Sequence, residues 1–68
     1  MKNNCPVEFP DWALCVYQTK AGTWIASDEI PWLVWDVWVT PKETTKKIIY
    51  QGSPDDDWRN SLYIRPFI

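Results

Sequence analysis

Trp32-Leu33-Val34-Trp35-Asp36-Val37-Trp38-Val39-Thr40 is the stretch whose conformation decides the fold. Its first eight residues hold three tryptophans and three valines. β-Branched and aromatic side chains suit a pleated surface, and in a helix they lose χ1 freedom. A helix starting at Ser27, with Pro31 in its first turn, is the competing pattern. The composition of the run favours one continuous strand. Successive strand residues face opposite ways, so Leu33, Trp35, Val37 and Val39 then form one wholly apolar face. Trp32, Val34, Asp36 and Trp38 form the other, apolar apart from a single carboxylate.

On the N-terminal side of this run, Trp12 to Thr19 alternates as a strand, with Trp12, Leu14 and Val16 on one face and Ala13, Cys15 and Tyr17 on the other. Lys20-Ala21-Gly22 follows, then Thr23-Trp24-Ile25-Ala26-Ser27. Two strand-like runs around three residues containing glycine read as a hairpin. Residues 1–11 contain Pro6 and Pro10 and read as an extended lead-in. On the C-terminal side, Pro41-Lys42-Glu43 makes a turn into a strand over 44–51, with Ile48 and Tyr50 facing one way and Lys47 and Ile49 the other. Gly52 ends it. Ser53-Pro54-Asp55-Asp56-Asp57 carries a helix-start signature, so a short helical turn is expected near 54–61. Leu62 to Arg65 reads as a last strand, stopped by Pro66.

The expected fold is therefore mainly β: a single small antiparallel sheet of four or five strands, strongly bent or barrel-like. Local pairing favours a meander. A chain of 68 residues builds one small domain with a thin core. Eleven aromatic residues, six of them tryptophan, must supply much of that core. The same excess makes some of them hard to cover, since tryptophan is rarely hidden completely.

Composition also removes most catalytic machinery. There is no histidine, hence no Ser-His-Asp or Cys-His triad within one chain. Two cysteines without CxxC spacing do not make a structural zinc site, and two isolated glycines make no phosphate-binding loop. A net charge of −2 is too small to mark a nucleic-acid binder. No run of apolar residues is long enough to span a bilayer, and the start lacks a signal-peptide core. The chain thus reads as complete and cytoplasmic, with Cys5 and Cys15 as free thiols. Cys15 is the buried one, and a Cys5–Cys15 bridge is the alternative.

Four groups of residues are candidates for function. The face bearing Trp32, Val34, Asp36 and Trp38, with Trp58 nearby, is a partner-binding surface if one side of the sheet stays open. It is core if both sides are covered. Asp36 is either a functional carboxylate or, more simply, a solvent-facing group bonded to an indole or to a cation on a neighbouring strand. Asp55, Asp56 and Asp57 lack the spaced ligand pattern of a calcium loop; they suit a helix N-terminus, or an acidic hook for a basic partner. Lys42, Lys46 and Lys47 read as a solvated face that protects a strand edge, rather than a track for single-stranded nucleic acid.

In size and composition the chain is similar to small phage-encoded accessory proteins, which plug a surface of a larger enzyme, although no motif carries that likeness. The functional expectation is a non-enzymatic module that binds a protein partner, or a second copy of itself, through the aromatic face. It needs no cofactor or metal. The alternative is a small-ligand module that stacks sugars or single-stranded nucleic acid on exposed tryptophans.

Overall fold

The computed structural model describes residues 7–65. Six strands run through it: β1 (Cys15–Gln18), β2 (Thr23–Ser27), β3 (Trp32–Val34), β4 (Val37–Val39), β5 (Lys46–Gln51) and β6 (Tyr63–Ile64). A single 3-10 turn, Trp58–Asn60, precedes β6. The mainly antiparallel β architecture with one short helical turn is as the residue pattern implies. The strands, however, divide into a four-stranded sheet in the order β5-β2-β1-β6 and a separate β3–β4 hairpin. The larger sheet stays open, with β5 and β6 as its edges.

Three of its strands, β1, β2 and β5, lie side by side in chain order, as a meander requires. The fourth crosses over: β6 pairs with β1 through Cys15↔Ile64 and Val16↔Tyr63. The resulting spatial order of fourth, first, second, third strand is that of a Greek key. The β3–β4 hairpin is inserted into the connection between β2 and β5, and we refer to it as the arm.

The β1–β2 hairpin forms where the alternation places it, in the register Cys15↔Ser27 to Gln18↔Trp24. Its turn closes with Gly22 N–H donating to the Thr19 carbonyl at 2.9 Å. Gly22 has φ +95°, and a Cβ there would lie 2.6 Å from the Gly52 carbonyl oxygen, so no other residue fits. One sheet face carries Val16, Trp24 and Ala26, which pack with Ala13 and with Val7, Phe9, Ile49 and Tyr63. Arg65 fastens the lead-in to this face: its guanidinium donates to the Ala13 and Pro10 carbonyls and lies over the Phe9 ring. β5 reaches the same core through a bulge between Ile48 and Tyr50, which turns Ile49 inward. The opposite face carries Cys15, Tyr17, Ile25 and Ser27.

Several expectations need correction. Trp12 is not part of the strand, which begins three residues later at Cys15, and it is 41 % exposed. The helical turn starts at Trp58, capped by Asp57 without a side-chain bond, and no acid lies in its first turn. Ser53 and Pro54 do not start a helix. Asp55 instead accepts the Asp57 backbone N–H in a local turn at 2.9 Å. The Cys5 tail, Pro6 and the Pro66 stop lie outside the described residues. Cys15 is a free, buried thiol.

Gln18, at the end of β1, joins the surrounding segments. Its side-chain amide donates to the Gly22 and Ser53 carbonyls at 3.2 and 2.9 Å. Its backbone N–H donates to Ser61 Oγ at 2.8 Å, and its carbonyl accepts from Trp38 Nε1 at 2.9 Å. Replacing Gln18 with Met keeps the volume but removes both bonds, leaving the Ser53 carbonyl without this donor while the Gly22 carbonyl keeps the Gly52 N–H at 2.9 Å. This is expected to destabilise the fold by about 2 kcal/mol and to lower Tm by roughly 10 °C. Thermal melts followed by near-UV circular dichroism check it, with Lys47→Gln as the surface control; equal shifts for the two variants would refute the assignment.

Candidate functional site

The nine-residue run that opened the sequence is not one strand. It folds back on itself as the arm, in the register Trp32↔Val39, Leu33↔Trp38 and Val34↔Val37. The two residues between the strands, Trp35 and Asp36, have φ of +52° and +62°. Two consecutive left-handed residues are the signature of a type I′ turn, whose twist matches that of a hairpin. Asn-Gly is the usual choice, because an L side chain in this region costs roughly 1–2 kcal/mol per residue. Asp tolerates the conformation; Trp is a poor residue for it.

The turn resets the alternation, and with it the composition of the two faces. Trp32, Val34, Val37 and Val39 now share one side, because directly opposed residues of an antiparallel pair lie on the same face. Leu33 and Trp38 share the other. Trp38 packs against Tyr17 of β1, with ring centroids 5.2 Å apart, and meets Trp58 edge-on at 6.4 Å and 76°. Its indole N–H is the donor to Gln18. This side is the docked face of the arm, and Trp38 is its anchor.

Asp36 fastens the tip. Arg59 donates from Nε and Nη2 to the two oxygens of the Asp36 carboxylate, both at 2.8 Å, in a forked pair. Arg59 lies on the 3-10 turn, and its guanidinium also sits 4.8 Å from the Trp58 ring centre. The Arg59 hydrogen bonds hold the Asp36 carboxyl below its ordinary pKa. The Arg59 and Lys20 charges add to this effect, and partial desolvation opposes it. The simpler reading of Asp36, a carboxylate bonded to a neighbouring cation, is the one the structure shows.

The residues singled out from the sequence thus part company. Trp32 and Val34 are exposed on the outward face, as required of a binding surface. Asp36 is exposed but engaged by Arg59. Trp38 turns the other way and is half-buried, and Trp58 is only 4 % exposed beneath it, so neither offers a partner much area. Asp55, Asp56 and Asp57 are exposed on the approach to the 3-10 turn, apart from the outward face of the arm. Among the described residues no three His, Cys, Asp or Glu side chains are grouped to hold a metal ion.

Strand alternation misplaced the most prominent residue of all. Trp35, which alternation puts on the wholly apolar face with Leu33, Val37 and Val39, stands at the tip of the arm with 93 % of its surface open. Val37 and Val39 join the outward face. The available signal was Asp36, the sole residue of the run that favours a turn. Burial pushes the Cys15 thiol up to about 11, the Ser27 hydrogen bond opposing, so it stays protonated and unreactive at neutral pH. No helix among the described residues is long and apolar enough to cross a membrane. No protein-family model, curated protein or solved structure matches the chain.

The Asp36–Arg59 pair has a definite pH sign. A carboxyl whose folded-state pKa is depressed stabilises the docked arm above its unfolded value, and that contribution is lost as pH falls through the folded one. The indole N–H resonance of Trp38 and the side-chain resonances of Arg59 are expected to report loosening of the tip only below the ordinary range of aspartate. Asp36→Asn removes that acid step while the Trp38 contacts persist. An acid step unchanged in the variant would show that another carboxyl governs it.

Proposed function

We propose that the protein is a non-catalytic binding module that engages a protein partner through the arm and occludes the surface it covers. Trp35 is the anchor, and Trp32, Val34 and Val37 are the apolar surround. The observation that carries this reading is Trp35 itself: a fully presented indole, in a backbone conformation that tryptophan disfavours, at the tip of a hairpin. Strain of this kind persists where the surrounding structure imposes it, and it concentrates at functional positions. Asp36, next to Trp35, and Trp38, two residues further on, hold the tip in place against that strain.

The energetics suit docking. A rigid aromatic ring loses little rotamer freedom on binding, so the area it buries converts efficiently into affinity. Tryptophan is prominent among the few residues that dominate interface energies, and a flanking apolar ring excludes water from it. The rest of the molecule is the scaffold that aims the arm. In this reading the protein acts stoichiometrically in the cytoplasm, in the manner of a small phage-type accessory protein that blocks a larger host enzyme.

The test separates stability from binding. Trp35→Asn supplies a residue that favours the left-handed turn, so the variant is expected to be about 1 kcal/mol more stable than the parent in denaturant titrations. It is also expected to lose at least about tenfold in affinity for whatever partner the parent retains in host extract. Trp12→Ala, exposed but remote from the arm, keeps that affinity. Retention of the partner by Trp35→Asn, or equal loss in both variants, overturns the proposal. Sedimentation of the purified chain shows whether the partner is a second copy.

A further inference from the structure

β5, with six residues the longest strand described, is an open edge of the four-stranded sheet. The bonds that bracket it fix which of its backbone groups face outward. Asp28 N–H donates to the Thr45 carbonyl at 3.2 Å, and Gly52 N–H donates to the Gly22 carbonyl at 2.9 Å. In an antiparallel pair, bonded and non-bonded positions alternate. Lys47 and Tyr50, opposite Ala26 and Trp24, therefore bond inward to β2, and Ile49 is the extra residue of the bulge. The N–H and C=O groups of Lys46, Ile48 and Gln51 point away from the sheet. No backbone bond among the described residues reaches them. Their side chains stand on the face that carries Ile25 and the arm, and Ile48 is 64 % exposed. An edge of this length, with bare apolar side chains beside unpaired backbone groups, is a template for another strand.

We propose that β5 pairs antiparallel with β5 of a second copy, about a two-fold axis at Ile48. The charge pattern selects this partner and this direction. Lys46 and Lys47 lie together at the start of the strand. Parallel pairing in register would set each beside its own copy, and like charges directly opposed are destabilising. Antiparallel pairing sends the two lysine pairs to opposite ends of the contact. Ile48 then meets Ile48 of the second copy, and the two exchange both backbone bonds. Lys46 meets Gln51 of the second copy, the next position whose backbone faces outward. Lys47 comes within reach of the exposed Tyr50 ring of that copy. The lysines thus protect the edge against parallel stacking and leave the two-fold contact open. The other edge, β6, has two residues, so the pairing closes at a dimer. A two-fold axis normal to the sheet keeps each face on its own side, and the joined sheet displays both arms on one face. The dimer does not depend on the binding role of the arm; where the arm docks as proposed above, the two arms engage bivalently.

A contact along one short strand is smaller than the roughly 1,200 Å² of a stable interface, so a dissociation constant on the order of 0.1 mM is expected. Sedimentation equilibrium and 15N spectra of the full chain, recorded from about 10 µM to about 2 mM, bracket that value. The backbone amides of Lys46, Ile48 and Gln51 are expected to shift with concentration and to gain protection from hydrogen exchange. The amides of Val16 and Ala26 and the indole N–H of Trp35 stay in place. Ile48→Lys puts like charges on the axis and is expected to weaken association at least about tenfold, with Tm within about 2 °C of the parent because the side chain is exposed. Trp35→Asn dimerises like the parent. A chain that stays monomeric at the highest concentration overturns the proposal. So does a dimer that Ile48→Lys leaves unchanged, or one that Trp35→Asn abolishes, which would place the contact on the arm. Isotope-filtered contacts between Lys46 of the two copies would show parallel pairing and overturn it as well.

Discussion

The structure depends on a single polar residue, Gln18, at a point where apolar burial alone does not hold the chain together. Its peptide unit and side chain bond to the hairpin turn at Gly22, the loop at Ser53, the approach to β6 at Ser61 and the arm at Trp38. The groups it meets are two backbone carbonyls, at Gly22 and Ser53, the Ser61 hydroxyl and the Trp38 indole N–H. Buried polar groups weaken a core unless all are bonded, and then they specify one arrangement of it. A chain this small has no second layer of helices to fix its loops. Gln18 takes that part, and the order of the segments around β1 follows from it.

The arm is the clearest consequence. It belongs to neither edge of the sheet, and its strands bond only to each other. It is held by side chains: Trp38 between Tyr17 and Trp58 with its N–H on Gln18, and Asp36 gripped by Arg59. These two attachments overcome the cost of a type I′ turn made from Trp and Asp. They also leave the far side of the hairpin bare. The apolar outward face and the strained tip are thus two products of one geometry, in which Trp38 and Asp36 are already engaged.

Much of the larger sheet was legible in the residues. Alternation marks β1 and β2, glycine marks their turn, and Ile48, Ile49 and Tyr50 mark β5. The bulge at Ile49 was not legible, because period-two counting assumes an unbroken register. The crossover of β6 was hidden for another reason: a two-residue strand carries too little pattern to reveal its neighbour. The acidic run was read as a helix start because Ser53-Pro54 supplies the signature. The side chain of Gln18 engages Ser53 through its carbonyl instead, and tertiary bonding displaced the local preference. The candidate site was found in place but not in orientation. Trp32, Val34 and Asp36 are exposed as read, whereas Trp35 and Trp38 exchanged roles.

The sequence by itself determined that this is a β protein with more aromatic surface than its core can absorb, and that the surplus lies between Trp32 and Trp38. Those conclusions rest on side-chain size, branching and count, which do not depend on what neighbours the residues. Tertiary structure alone decided which tryptophans are surplus. A turn at Trp35-Asp36 is locally unfavourable, so no local rule announces it. It exists because Arg59 and the Tyr17–Trp58 cleft, both remote in the chain, stabilise the docked hairpin by more than the turn costs.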